Sequence, residues 1–261
     1  MTVSYKSLLP VAALGALFLT ACGSKSTTEV EIPDAPDAAI ETIAKEMMNG
    51  NGGILWRAMP ASYQADVNAI AQLAGAKVDA ELYNKSFSLV GRLAEVADKQ
   101  KEFILNTKLG GEQPAEEIAK IDAAWPSIIG FVKTIASSSI SSSEGLQSFD
   151  GQAFCDQTVS ALVVFSKDLA ALSDEPDPLQ FGSVKLLEST ETTAVLEMAS
   201  PDGTVETEEF TKVENRWVPT EMASEWTTQM AEAKAQLEAF SPEEMTQNKP
   251  QIMGSSRKCV L

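Results

Sequence analysis

The chain has 261 residues, 44% of them hydrophobic and 22% charged, a globular composition long enough for one or two domains. Its formal charge of −17 and isoelectric point near 4.4 repel phosphate backbones, so nucleic acid is excluded as a partner. With no histidine, the chain lacks the commonest general base and zinc ligand, and every Ser-His-Asp or Cys-His arrangement.

Residues Leu8 to Leu19 form an uncharged, mostly apolar run behind Lys6. The run is too short for a bilayer, which needs roughly 20 helical residues, and Pro10 disfavours a regular core helix. Its length fits the apolar region of a secretory signal peptide, with Lys6 and the amino terminus as the basic start. Leu19-Thr20-Ala21-Cys22 closes it and resembles the lipobox of bacterial lipoproteins: a Leu, two small residues and an obligatory Cys. That resemblance implies a diacylglycerol on the Cys22 thiol, cleavage after Ala21 and acylation of the new amino terminus. The absence of Asp after Cys22 then implies the outer membrane, with the body facing the periplasm. Several acyl chains on one residue hold a protein at a bilayer firmly, where one does so only marginally. The expected division is a signal peptide over 1–21, then a lipidated tether over 22–32. The tether reaches at most about 35 Å and averages about 20 Å.

The body reads first as helices, placed over residues 33–179. "IPDAPDAAIETIAKEMMNGNGG" gives a short helix capped by Asp34 or Asp37 and stopped at residues 49–53. Gly50-x-Gly52 is no dinucleotide fingerprint, because a helix precedes it. Pro60 opens a helix carrying Tyr63, Val67, Ile70 and Leu73. In "VDAELYNKSFSLVGRLAEVADKQKEFIL", Asp79 is the N-cap, and Leu82, Phe87, Leu89, Val90, Leu93, Val96 and Phe103 build an apolar stripe. Pro114 opens another helix, interrupted or kinked at Pro126. "SSSISSSEG" reads as a loop, and "DGQAFCDQTVSALVVFSKDLAAL" as a buried helix.

From residue 180 the pattern turns to short antiparallel strands, with turns at 200–203 and 214–216 and a last strand ending on Pro219. A helix with Met222, Trp226, Met230, Ala233 and Leu237 on one face completes the 180–240 segment, and 241–261 is a polar tail. The fold class is α+β: a bundle of about five helices, then a small antiparallel meander and a C-terminal helix. The meander closing on "VENRWVPTEM" weakly resembles cystatin-like and nuclear-transport-factor-like sheets. "ILWRAMPASYQADV" resembles bacterial lipoproteins to which no activity is attached.

Candidate chemistry is sparse. Ser255 and Lys258 match S-x-x-K, but in the tail, where no pocket would hold a nucleophile. Acidic groups at Glu206, Glu208 and Glu209, and at Glu221 and Glu225, have the residue type for glycosidase chemistry, but strand and helix surfaces carry such charges routinely. Asp174, Glu175 and Asp177, or Asp202, lack a calcium-loop spacing, so no metal and no cofactor is expected. Trp56, Tyr63, Trp125, Phe131, Trp217 and Trp226 either fill the core or line an apolar pocket between sheet and helices. Cys155 and Cys259 either pair or stand as a buried and a tail thiol; the second is favoured, since their separation carries no geometry. The expectation is a non-catalytic binding or interaction module, with the membrane and an envelope protein as partners. A lipid or small-ligand binder and, behind it, a carboxylate-dependent hydrolase are the alternatives.

Overall fold

The computed structural model describes residues 30–106, 114–172 and 182–240. The segments expected as signal peptide and tether, with Cys22, lie outside them except for residues 30–32, as do Asp174, Glu175 and Asp177, the Ser255–Lys258 pattern, Cys259 and the expected tail. The fold is α+β, with helices first, then a four-stranded antiparallel meander and a closing helix.

Helix α1 (Pro36–Met48) starts with Pro36 in its first turn, and Ala35 occupies the cap position without a side-chain bond. Asp34 works elsewhere. Its carbonyl accepts the indole N–H of Trp217 at 2.7 Å, and its carboxylate pairs with Lys212. The helix ends as sequence predicts, because Gly50 takes φ +86° and its N–H and that of Asn51 return to the Met47 and Glu46 carbonyls. A short helix missed in the sequence, α2 (Gly53–Ala58), precedes α3 (Ala61–Lys77).

Helix α4 (Ala80–Lys99) is capped by Asp79, whose Oδ1 accepts the Leu82 N–H at 2.9 Å. One turn at Gln100 leads into α5 (Lys101–Asn106). Helix α6 (Ala115–Ser137) runs back antiparallel along α4, unbroken by Pro126. The sequence reading expected an interruption or kink there; the helix is not interrupted. The ring removes the N–H that would bond the Asp122 carbonyl, and Lys101 Nζ supplies a donor to that oxygen at 3.2 Å.

The serine-rich stretch is ordered rather than a loop. It forms a 3₁₀ turn (Ser139–Ser141) and α7 (Ser143–Gln147), whose N-cap Ser142 accepts the Gly145 N–H. Asn84 clasps it to α4 by accepting the Ser143 N–H and donating to Glu144. Helix α8 (Gly151–Phe154), a π turn (Cys155–Val159) and α9 (Ser160–Ala170) then form one rod.

Strands β1 (Ser183–Ser189), β2 (Thr193–Ala199), β3 (Val205–Val213) and β4 (Arg216–Pro219) pair in chain order. Glu214 and Asn215, both at positive φ, make the two-residue turn of the last hairpin. Val184, Ala194, Leu196, Phe210 and Trp217 pack against Ala39 of α1. Helix α10 (Thr220–Ala239) lies on α3, with Trp226, Tyr63 and Val218 between them. The helical and strand segments therefore share cores. Among the described residues no helix is long and apolar enough to cross a membrane.

Candidate functional site: the π turn and its two sides

The π turn inserts one extra residue into a helical rod, and such bulges recur at functional sites. Its residues diverge. Cys155 and Val159 enter the core beside Trp56, Asp156 meets Arg57, and Gln157 and Thr158 face a cleft.

On the Arg57 side, Arg57 Nη1 lies 3.4 Å from Asp156 Oδ1, and Nη2 donates to Asn51 Oδ1 at 3.2 Å. Asn51 donates in turn to Glu46, and Gln152 donates to the other Asp156 oxygen at 2.7 Å. Gly53 keeps this contact close, since a Cβ there would stand 1.7 Å from Asp156 Oδ1 and push that carboxylate away from Arg57. The freed backbone of the π turn is also satisfied: the Gly52 N–H donates to Ser160 Oγ at 2.7 Å, and that hydroxyl donates to the Cys155 carbonyl. Burial, with Asp156 adding to it and Arg57 opposing, pushes the Cys155 thiol up to about 12. The free Cys155 thiol is thus inert at neutral pH. This network holds three helices together and leaves no activated group.

On the other side, a cleft of about 370 Å³ is lined by Thr134, Ser137, Ser139, Asp150, Gln157 and Thr158 among others. Ser137, Ser138 and Ser148 already donate to the Lys133, Ile135 and Glu144 carbonyls. The Asp150 carboxylate is engaged with the Ala153 N–H. What remains are the Thr134, Ser139 and Thr158 hydroxyls and the Gln157 amide, which both donate and accept, with no cation in the lining: a set suited to holding a small neutral molecule and not to activating a serine.

The six aromatic residues proposed for an apolar pocket are dispersed. Trp56 belongs to the helical core, Trp217 to the sheet–α1 core, and Tyr63 and Trp226 stack 4.0 Å apart between α3 and α10. Trp125 is buried in α6, and Phe131 lies half-buried on the same helix. These side chains therefore do not assemble into one wall between sheet and helices: Trp56, Trp217 and the Tyr63–Trp226 pair belong to three separate packing clusters.

The acidic candidates are equally spread. Glu208 stands opposite the fully buried Leu196, and desolvation, then Glu221, Glu206 and Glu209, raise its carboxyl above the ordinary range. Glu206 and Glu209 on the same strand, and Glu221 and Glu225 on α10, are exposed. Asp202 accepts the Thr204 N–H inside the β2–β3 turn, which holds its carboxyl below the usual range. Among the described residues no three His, Cys, Asp or Glu side chains are grouped to hold a metal ion.

Sequence reading missed one exposed feature. Along α4 and α5, Val90, Leu93, Val96 and Phe103 are 42–56% solvent-exposed. The 3–4 spacing announces this apolar stripe, and only the packing reveals that no described residue covers it. Comparison of the chain with protein-family models, curated proteins and solved structures finds no match.

Proposed function

We propose that the chain is a lipid-anchored, periplasm-facing protein of the outer membrane that acts as a non-catalytic interaction module. Its address rests on Leu19-Thr20-Ala21-Cys22 ending an apolar run of signal-peptide length. Its role rests on the apolar face of α4 and α5 that no described residue covers, since exposed faces of this kind mark contact surfaces. Cell fractionation of Cys22→Ser tests the address. The parent chain should partition with the membrane and the variant should accumulate unprocessed or soluble. A variant that is processed and membrane-bound like the parent overturns lipidation at Cys22.

A second reading, small-ligand binding, has the hydroxyl-lined cleft behind it. Its volume lies at the small end of ligand pockets, and its lining, hydroxyls and an amide beside Ala153, Phe154 and Ala161, suits a small neutral molecule with polar and apolar faces, such as a sugar. Thermal denaturation with mono- and disaccharides tests this, and an unchanged midpoint with all of them removes it.

A further inference from the structure

The outer face of α4 and α5 carries two seven-residue columns side by side. Leu82, Leu89, Val96 and Phe103 form one, with Leu93 set between Leu89 and Val96. Lys85, Arg92 and Lys99 form the other, directly along the edge of the seam. Seven residues are nearly two helical turns, so each column follows the helix with a drift of about 20° per repeat, along α4 and past the Gln100 turn into α5. The side toward α6 is the opposite one. There Ala94 is buried, Gly91 sits against Ala136, and Asp98 pairs with Lys133 at 2.8 Å. Leu82 is buried at the base and Leu89 is half-buried, while Leu93, Val96 and Phe103 are each 56% exposed. The three cations are exposed and have no ion-pair partner among the described residues. In a chain of net charge −17, the described residues thus leave a cationic row without ion pairs beside an apolar seam that none of them covers.

We infer that this seam docks an acidic amphipathic helix of a partner protein in coiled-coil fashion, its apolar face on Leu89, Leu93, Val96 and Phe103 and its carboxylates along Lys85, Arg92 and Lys99. The inference deepens the interaction reading above and rests on it. Charge selects the occupant. A second copy of α4 would set cation against cation when antiparallel. When parallel, it would set the cations against Tyr83, Val90 and Ala97, which carry no charge. The chain's own residues 241–261 carry Glu243 and Glu244 against Lys249, Arg257 and Lys258, so they offer no acidic edge. A flat anionic bilayer in contact with the cations would also meet Glu81, Glu95 and Glu102, which recur at multiples of seven residues just beyond them. A single helix in the seam reaches the apolar and cationic columns and stops short of that acidic one.

The test uses the full chain carrying Cys22→Ser and a fluorescent synthetic helix of about 28 residues with Leu at both seam positions. In one version the flanking positions are Glu, in the other Lys. The Glu helix should bind at least about tenfold tighter by fluorescence anisotropy and weaken as salt is raised. Lys85→Glu/Arg92→Glu/Lys99→Glu should reverse that order, and Leu93→Asp should abolish binding of either, with circular dichroism unchanged because all four positions are exposed. Equal affinity for the two helices, binding of neither, or seam-dependent binding to phosphatidylglycerol vesicles without preference between the helices overturns the inference. Because lipidation plays no part in this measurement, a failed fractionation result for Cys22 leaves it standing. A failed peptide result likewise leaves the address standing.

Discussion

Lys101 Nζ lies 2.6 Å from the Asp122 carboxylate and 3.2 Å from the Asp122 carbonyl, the oxygen that Pro126 leaves without its helical donor. One side chain thus joins α5 to α6 and completes the backbone of a helix that contains a proline. Removing it by Lys101→Met should lower stability to urea by about 1 kcal/mol. In a Pro126→Ala background the backbone N–H restored at that position can take over the carbonyl, so the same substitution should cost measurably less. Equal costs in the two backgrounds would show that the carbonyl contact contributes nothing.

Trp226 ties α10 to α3 twice, through its 4.0 Å stack on Tyr63 and through its indole N–H, which donates to Asp66 Oδ2 at 2.8 Å. Trp226→Ala removes both and should cost about 3–5 kcal/mol. Trp226→Phe keeps most of the packing and strands the Asp66 oxygen, so it should cost about 1–2 kcal/mol. Urea unfolding followed by circular dichroism separates the two. A Phe variant as damaged as the Ala variant would assign the whole effect to the hydrogen bond.

Glu208 gives the fold a pH dependence of definite sign. The unfolded carboxyl ionises near its ordinary value of 4.5, while the folded one, desolvated and facing Glu221, keeps its proton to higher pH. Between those values the folded state holds more protons than the unfolded state, so this residue's contribution falls as pH rises through the window. Glu208→Gln should therefore raise the urea midpoint at pH 7 and leave it unchanged at about pH 3. An equal gain at both pH values would trace the effect to packing instead of charge.

Cys155 should resist alkylation. In a Cys22→Ser/Cys259→Ser chain, iodoacetamide at about pH 8 should leave the native protein unlabelled and modify it fully in urea, as read by mass spectrometry. Rapid labelling of the native protein would mean that the π turn opens and exposes the thiol.

Much of the architecture is legible along the chain because the signals are local. Asp79 caps α4, Gly50 ends α1, and Glu214 and Asn215 turn the last hairpin, each through bonds within a few residues. The departures come from distant partners. Asp34 looks like a cap by spacing but is drawn to Trp217 and Lys212, more than 170 residues away. The serine run folds because Asn84 supplies its hydrogen bonds, and Pro126 is accommodated because Lys101 lies beside it. The π turn carries no compositional mark. Its extra residue is held by Arg57 and Gly52 from another helix.

By itself the sequence determines that helices come first and an antiparallel meander and helix follow, the termini set by Asp79, Gly50 and the last hairpin turn, the exclusion of histidine chemistry, and the apolar period of α4. Only the tertiary structure decided that the tryptophans divide among separate cores and that, among the described residues, nothing covers the α4 stripe or pairs with the three cations beside it. The physical reason is that a helical period fixes which side of a helix is apolar, whereas what lies against that side depends on contacts made by residues far away in the chain.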